Sequence, residues 1–435
     1  MGISFSKPHG KTLVVVGGGI FGASTVLALS SKYPDWDITL VDPTEGPNPG
    51  CASHDKSKIV RDDYDEERYI TLAMEAMRRW DAVPLYSKHF HKVGFLRAQP
   101  DDFSERSLAK RRELGLPTSA KWMSPEEVRE AWPAFKDATF GGIDKVMFNP
   151  DYGFVEAEFA LRDVREAAFR NGVKLVTGEV KTLLFDDAGN CTGAKLDDGR
   201  ELRADSVLLC TGARTNSLLV DSAPERTDLH AGHRIRAAGA ISFTVKIEDH
   251  QKDLFQDIPV FKNREEGVMG EFMSVIDGVA KFNCDAAWTN NDKHPVTGET
   301  MSVAPTQDKR TAWTPVDAAN LPEEIKQRIS NVKNGLFGGQ LAGNEVQEVR
   351  FCWDAYTPSH DFTICEHPKS KNLYIATGGT FHGWKFFPVI GECIVKLLEG
   401  TIEKEYRDLW AWDRPGDAKP ANTTYGLGRD LSEMK

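Results

Sequence analysis

Three glycines and an aspartate make the clearest chemical statement in this sequence. Gly17-x-Gly19-x-x-Gly22 follows the β-branched apolar run Thr12–Val16 and opens a stretch of helical composition at 23–31. In such a turn the first glycine permits the tight bend, the second lets backbone approach a pyrophosphate, and the third allows close helix packing. Asp42 ends the next apolar run, about twenty residues on, where a carboxylate binds ribose hydroxyls. An acid there favours an unphosphorylated ribose, hence FAD or NAD over NADP. The seven cysteines, at 51, 191, 210, 284, 352, 365 and 393, form no CxxC pairs and lack disulfide-scaffold spacing. Their pattern suits a reducing compartment in which one thiol does chemistry.

These residues need elements to hold them. Strand 12–16, the glycine turn, helix 23–31 and strand 37–41 close a βαβ unit. A long polar loop, 43–58, follows, and ligands of parallel sheets bind at such loops. Helical periodicity then predicts helices over 66–83, 124–130, 156–170 and 388–398. Strands are expected at 93–97, 174–177, 180–185, 240–245 and 279–283, with a hairpin at Asp187-Ala188-Gly189-Asn190. Two further strand-to-glycine elements, 206–213 and 372–379, return the chain to the dinucleotide unit. Two interleaved domains are therefore expected: 1–92, 151–219 and 352–435 for the dinucleotide, 93–150 and 220–351 for the substrate.

Composition excludes other classes. The 435 residues carry 54 Lys+Arg against 65 Asp+Glu, a net charge of −11, so no basic field exists to hold nucleic acid. No apolar run approaches the roughly 18 residues of a membrane span, and the amino end lacks a signal-peptide pattern. A cytoplasmic location is expected. Met1-Gly2 with Ser6 fits the loose myristoylation pattern, and the carboxyl end is not a Ser-Lys-Leu address.

Longer segments narrow the reading. Phe351-Cys352-Trp353-Asp354-Ala355-Tyr356-Thr357-Pro358, Ile364-Cys365-Glu366-His367-Pro368, Gly378-Gly379-Thr380-Phe381-His382-Gly383-Trp384-Lys385 and Pro388-Val389-Ile390-Gly391 resemble the monomeric sarcosine oxidase family of flavin-dependent amine oxidases. Within it, the Cys-Glu-His-Pro step and Leu397-Leu398-Glu399-Gly400 are most similar to fungal fructosyl amino acid oxidases, the amadoriases. Ser53-His54-Asp55-Lys56-Ser57-Lys58-Ile59-Val60-Arg61 looks more like the loop of sarcosine and pipecolate oxidases.

The resemblance implies an α/β fold in which a Rossmann-like FAD-binding domain is interleaved with a mixed-sheet substrate domain, of glutathione reductase or D-amino acid oxidase type. It implies FAD bound covalently as an 8α-S-cysteinyl thioether to Cys352, with Cys365 as the rival attachment. Lys58, Gly383 and Lys385 fall near the flavin, Val180 and Gly212 beside the adenosine half, and Lys281 at the position that activates dioxygen. Arg61, Lys385 and Arg414 fall where the substrate is bound, the first two suited to its carboxylate. Asp285 stands where fructosyl amino acid oxidases carry a glutamate and sarcosine oxidases a histidine.

The implied activity is oxidation of the C–N bond of a secondary-amine amino acid by dioxygen, giving an imine and hydrogen peroxide, in a monomer. A fructosyl or N-methyl amino acid is the expected substrate. Saccharopine- or pipecolate-type oxidation and a biosynthetic N-methyl oxidation with iminium cyclisation stand as alternatives. An NAD-dependent dehydrogenase and a flavin-binding module without turnover are the rivals from other classes.

Overall fold

A computed structural model describes residues 11–305, 309–414 and 427–434; the myristoylation pattern at Gly2 and Ser6 and the last residue of the carboxyl end lie outside them. The apolar run at the amino end becomes β1 (Thr12–Val16), the helix after it α1 (Ile20–Lys32), and the second run β2 (Asp37–Asp42). β1 pairs in parallel with β2 and with the strand Ser206–Leu209. Lys174–Thr177 adds in parallel beyond β2, and Leu373–Thr377 beyond 206–209, with Thr363–Glu366 antiparallel at the edge. The six-stranded sheet therefore draws on four separated stretches of chain, and its central strands are almost wholly buried and valine- and leucine-rich, as a sheet covered on both faces requires.

The hairpin expected at 187–190 forms, with Gly189 at φ +80°, but it joins Val180–Phe185 to Cys191–Leu196. Lys174–Thr177 belongs instead to the parallel sheet, where its apolar residues extend the row begun by β2. The loop after β2 ends in β3 (Lys58–Val60), followed by α2 (Glu67–Ala82), which the Glu66 side chain caps by accepting from Tyr69 N at 3.0 Å.

A ten-stranded mixed sheet carries the rest. Its central order is Val346–Tyr356, Arg236–Lys246, Val279–Thr289, Gly270–Ile276, Val260–Asn263 and Phe95–Ala98, and Leu427–Asp430 pairs with Val279–Thr289. Val346–Tyr356 runs through the boundary drawn at 351/352, so Cys352 stands on this larger sheet. One face of the sheet is aromatic: Phe243, Phe261, Phe272 and Phe282 pack with Phe337 of the helix Glu323–Phe337. The other face is polar, and it looks into the cavity described below.

The two halves of the dinucleotide unit meet where α1 crosses the helix Phe387–Glu399. Ser24 Oγ donates to Phe387 O at 2.8 Å and accepts from Gly391 N at 2.9 Å. A Cβ at Gly391 would lie 2.2 Å from Ser24 O, a backbone atom that cannot step aside. Gly391→Ala is therefore expected to destabilise the fold by about 1–3 kcal/mol, the range for overpacking, measured by chemical denaturation. An unchanged midpoint would show that the helix pair has slack.

Candidate active site

One cavity joins the glycine turn to the polar face of the large sheet. At its first end, Gly17 adopts φ +100°, and a Cβ there would sit 2.4 Å from Cys210 O, so only glycine fits. Gly22 packs so closely that a Cβ would be 1.9 Å from Gly17 O. The amino end of α1 carries no acid in its first turn, and with only Ser53 Oγ accepting from Ile20 N at 3.0 Å the positive end of the helix dipole faces the cavity. Asp42 is fixed by Gly18 N at 2.7 Å and by Thr44 N and Oγ1 at 3.2 Å, with Arg165 Nη1 at 3.7 Å. Val180 and Gly212 line the same end. A glycine cradle, a helix terminus free of acids and an anchored ribose acid fit a dinucleotide such as FAD.

The other end is cationic. Lys58 Nζ lies 2.8 Å from Asp55 Oδ2 and donates to Cys352 Sγ at 3.8 Å. Burial works against the Lys58 ammonium, yet the Asp55 carboxylate raises it above the usual lysine value. Arg61 pairs with Asp63, and Asp63 also takes Arg97 Nη2 at 2.6 Å. Lys385, on the turn Gly383–Phe386, donates to His382 O at 2.9 Å. Burial, then the nearby Arg61, pushes the Lys385 ammonium well below its ordinary value. Trp384 Nε1 donates to Ser53 O at 2.9 Å, tying this turn to the loop before β3.

Between these ends the large sheet supplies a row that the sequence reading missed. Directly paired residues on neighbouring strands share a face, and the register aligns Arg350, Ser242, Asn283, Glu271, Lys262 and Arg97 across six strands. Ser242 Oγ bonds Asn283 Oδ1 at 2.6 Å, and Asn283 Nδ2 donates to Glu271 Oε1 at 2.9 Å. Lys262 Nζ reaches Glu271 Oε2 at 3.0 Å and Asp285 Oδ1 at 2.7 Å. The signal was present in Lys281-Phe282-Asn283-Cys284-Asp285, whose strict alternation sends Phe282 and Cys284 into the core and the polar three to the opposite face.

Of the residues singled out from the sequence, Gly17, Gly19, Asp42, Lys58, Arg61, Val180, Gly212, Cys352, Gly383 and Lys385 line this cavity. Gly22 acts behind the turn. Lys281 lies one layer back from the wall: its Nζ is 2.8 Å from Asp55 Oδ2 and donates to Ser57 O at 2.6 Å. Burial lowers its ammonium to about 8, although Asp55 opposes the shift. Asp285 is also set back, behind Lys262, and burial raises its carboxyl above the usual range. Arg414 is tied elsewhere, donating to Phe362 O at 2.5 Å and Thr363 Oγ1 at 3.0 Å, and is not among the lining residues. Cys365 lies on the edge strand of the six-stranded sheet, packed in that sheet's core and away from the cavity lining.

Comparisons with known proteins agree with this geometry. Residues 12–397 match the family model described as FAD dependent oxidoreductase. The chain is 25% identical to L-saccharopine oxidase of Schizosaccharomyces pombe, covering 98% of each chain. It is 23% identical to monomeric sarcosine oxidase of a Bacillus species, covering 93% of this chain and 96% of that one. Among solved structures it is similar to fructosyl peptide oxidase from E. terrenum, with a TM-score of 0.85, 25% identity, and coverage of 99% and 98%. The cofactor is therefore FAD, and the NAD-linked dehydrogenase rival is set aside. A cradle built for a dinucleotide, continuous with a buried cationic end, and a match over nearly the whole chain lead to one assignment: this protein belongs to the FAD-dependent oxidoreductase (DAO) family.

Proposed function

We propose that the protein is an amine oxidase that converts the C–N bond of a secondary-amine amino acid to an imine, which water then hydrolyses. The observation that carries this reading is the single cavity with a dinucleotide cradle at one end and Lys58, Arg61 and Lys385 at the other. Bound FAD supplies the two-electron acceptor that takes a hydride equivalent from the carbon beside nitrogen and hands both electrons to dioxygen, yielding hydrogen peroxide.

The protein's own share is positional and electrostatic. The glycine turn, the α1 amino end and Asp42 hold the dinucleotide. Arg61, braced by Asp63, presents a planar fork to the substrate carboxylate, with Lys385 as a second donor. Together they fix the reacting carbon while the buried walls exclude water. Cys352, on the cavity wall beside Lys58, is the thiol for a covalent tether, and that thioether is part of the proposal. Lys58 and Lys281 share one carboxylate, Asp55, so the cluster keeps a positive charge to stabilise the anion formed as oxygen is reduced. The relatives named saccharopine oxidase and sarcosine oxidase, and the fructosyl peptide oxidase structure, support the secondary-amine class.

Four outcomes check the assignment. Acid-precipitated protein is expected to keep its yellow colour, and Cys352→Ala to release it to the supernatant. Release from Cys365→Ala instead would move the tether. Lys281→Met is expected to slow reoxidation by oxygen about 10²-fold while anaerobic flavin reduction changes by a few-fold, read by stopped flow. Because Lys281 carries its proton below a value of about 8, wild-type reoxidation should be fast at lower pH and fall as pH rises through that value. Equal slowing of both half-reactions would give Lys281 a substrate role. Arg61→Met should raise the KM for an amino acid substrate about 10- to 100-fold through loss of a charge-assisted pair, read in a peroxide-coupled assay. An unchanged KM would remove Arg61 from the substrate.

A further inference from the structure

The polar row leaves one feature that the proposed reaction does not use. Glu271 and Lys262 both line the cavity, yet they are 5% and 1% exposed. Taking two charges out of water is expensive, and a buried ion pair is often no better for stability than apolar packing of the same volume. Here the pair lies in the wall of a ligand cavity. Around it stand Asn283 and Asp285 from the strand Val279–Thr289, Ser242 from Arg236–Lys246, Arg264 just past Val260–Asn263, and Arg61 beyond β3. Lys385 lines the same cavity, and the Glu271 carboxylate partly offsets the loss of its ammonium.

On the amine-oxidase reading above, Arg61 and Lys385 take the substrate carboxylate, and a secondary amine has a second arm. We infer that Glu271 and Lys262 form the subsite for that arm, and that the arm ends in a zwitterionic, amino-acid-like head, its ammonium toward Glu271 and its carboxylate toward Lys262. The charges select this class by exclusion. An apolar arm would cover a desolvated ion pair with hydrocarbon and return nothing for the water removed. A lone cation would meet Lys262 and a lone anion would meet Glu271, each an unfavourable like-charge contact. A head carrying both charges, laid antiparallel to the pair, satisfies both in charge-assisted hydrogen bonds. The register makes the pair rigid: Lys262 and Glu271 are direct cross-strand partners, and Glu271 is held from its other side by Asn283. Lys262 is further held by Asp285, which explains why that acid stands behind the wall instead of on it.

The test uses three N-substituted glycines that share the reacting end. Nε-(carboxymethyl)-L-lysine carries the zwitterionic head, N-pentylglycine has the same chain length without it, and N-fructosylglycine carries a neutral polyol. With the holoenzyme in a peroxide-coupled assay, kcat/KM for the first should exceed that for N-pentylglycine by about 30-fold, the scale of hydrogen bonds to charged groups. Glu271→Gln, which keeps the shape and the bond to Asn283, should shrink that ratio about tenfold, chiefly through KM. Lys262→Met should shrink it too, and if that variant does not fold, the substrate series and Glu271→Gln decide alone. A wild-type ratio near one, an unchanged ratio in Glu271→Gln, or faster turnover of N-fructosylglycine than of the lysine derivative would overturn the subsite. Failure of all three compounds to reduce the flavin anaerobically would overturn the amine-oxidase reading itself, and the subsite with it.

Discussion

Much of the charge buried beside the cavity is tolerable because ions share their partners. Asp55 lies between Lys58 and Lys281, Asp63 between Arg61 and Arg97, and Lys262 between Glu271 and Asp285. In each case one group accepts two partners of opposite sign, so no charge is left to carry the full cost of desolvation. The Asp55 carboxyl shows the balance: burial alone would raise it, and the two ammoniums beside it hold it far below the usual carboxylate range. Removing any central member would strand two like charges in a low-dielectric wall.

This constraint explains the architecture around it. Shared ions need donors from distant stretches of chain brought to hydrogen-bonding distance, and the ten-stranded sheet does this through register. Its polar face presents one residue per strand in a row, while the alternate residues form the aromatic layer under the helix Glu323–Phe337. The loop between β2 and β3 and the turn Gly383–Phe386 then roof the row, joined by the bond from Trp384 to Ser53. The six-stranded sheet contributes the other half of the cavity through the amino end of α1, which carries no acid.

Much of the dinucleotide unit was legible in the chain. A glycine turn between a buried strand and a helix, with an acid at the end of the next strand, is a local pattern, because each glycine answers to a neighbour a few residues away or to the adjacent strand. The cavity positions of Cys352, Arg61 and Lys385 were reached through motif resemblance. Lys281, Asp285 and Arg414 show where that route stops: a strand position or a tail motif names a residue, but not whether it faces the cavity or stands behind another side chain. Glu271 and Lys262 went unread because each is a single charge in a short strand, and nothing local says that the two strands pair with those residues opposite.

The sequence by itself determined the dinucleotide cradle, the parallel sheet that carries it and the acidic background against which a few cations matter, since these follow from patterns of a few residues and from composition. Tertiary structure alone decided which charges meet. Cross-strand register set Lys262 against Glu271, and the packing of the loop before β3 onto the large sheet set Asp55 between Lys58 and Lys281, residues 223 apart in the chain. Such pairings depend on alignment to within one residue, across a hairpin for Lys262 and Glu271 and between distant segments for Asp55 and Lys281, and a shift of one position would turn every polar side chain of the row into the aromatic core.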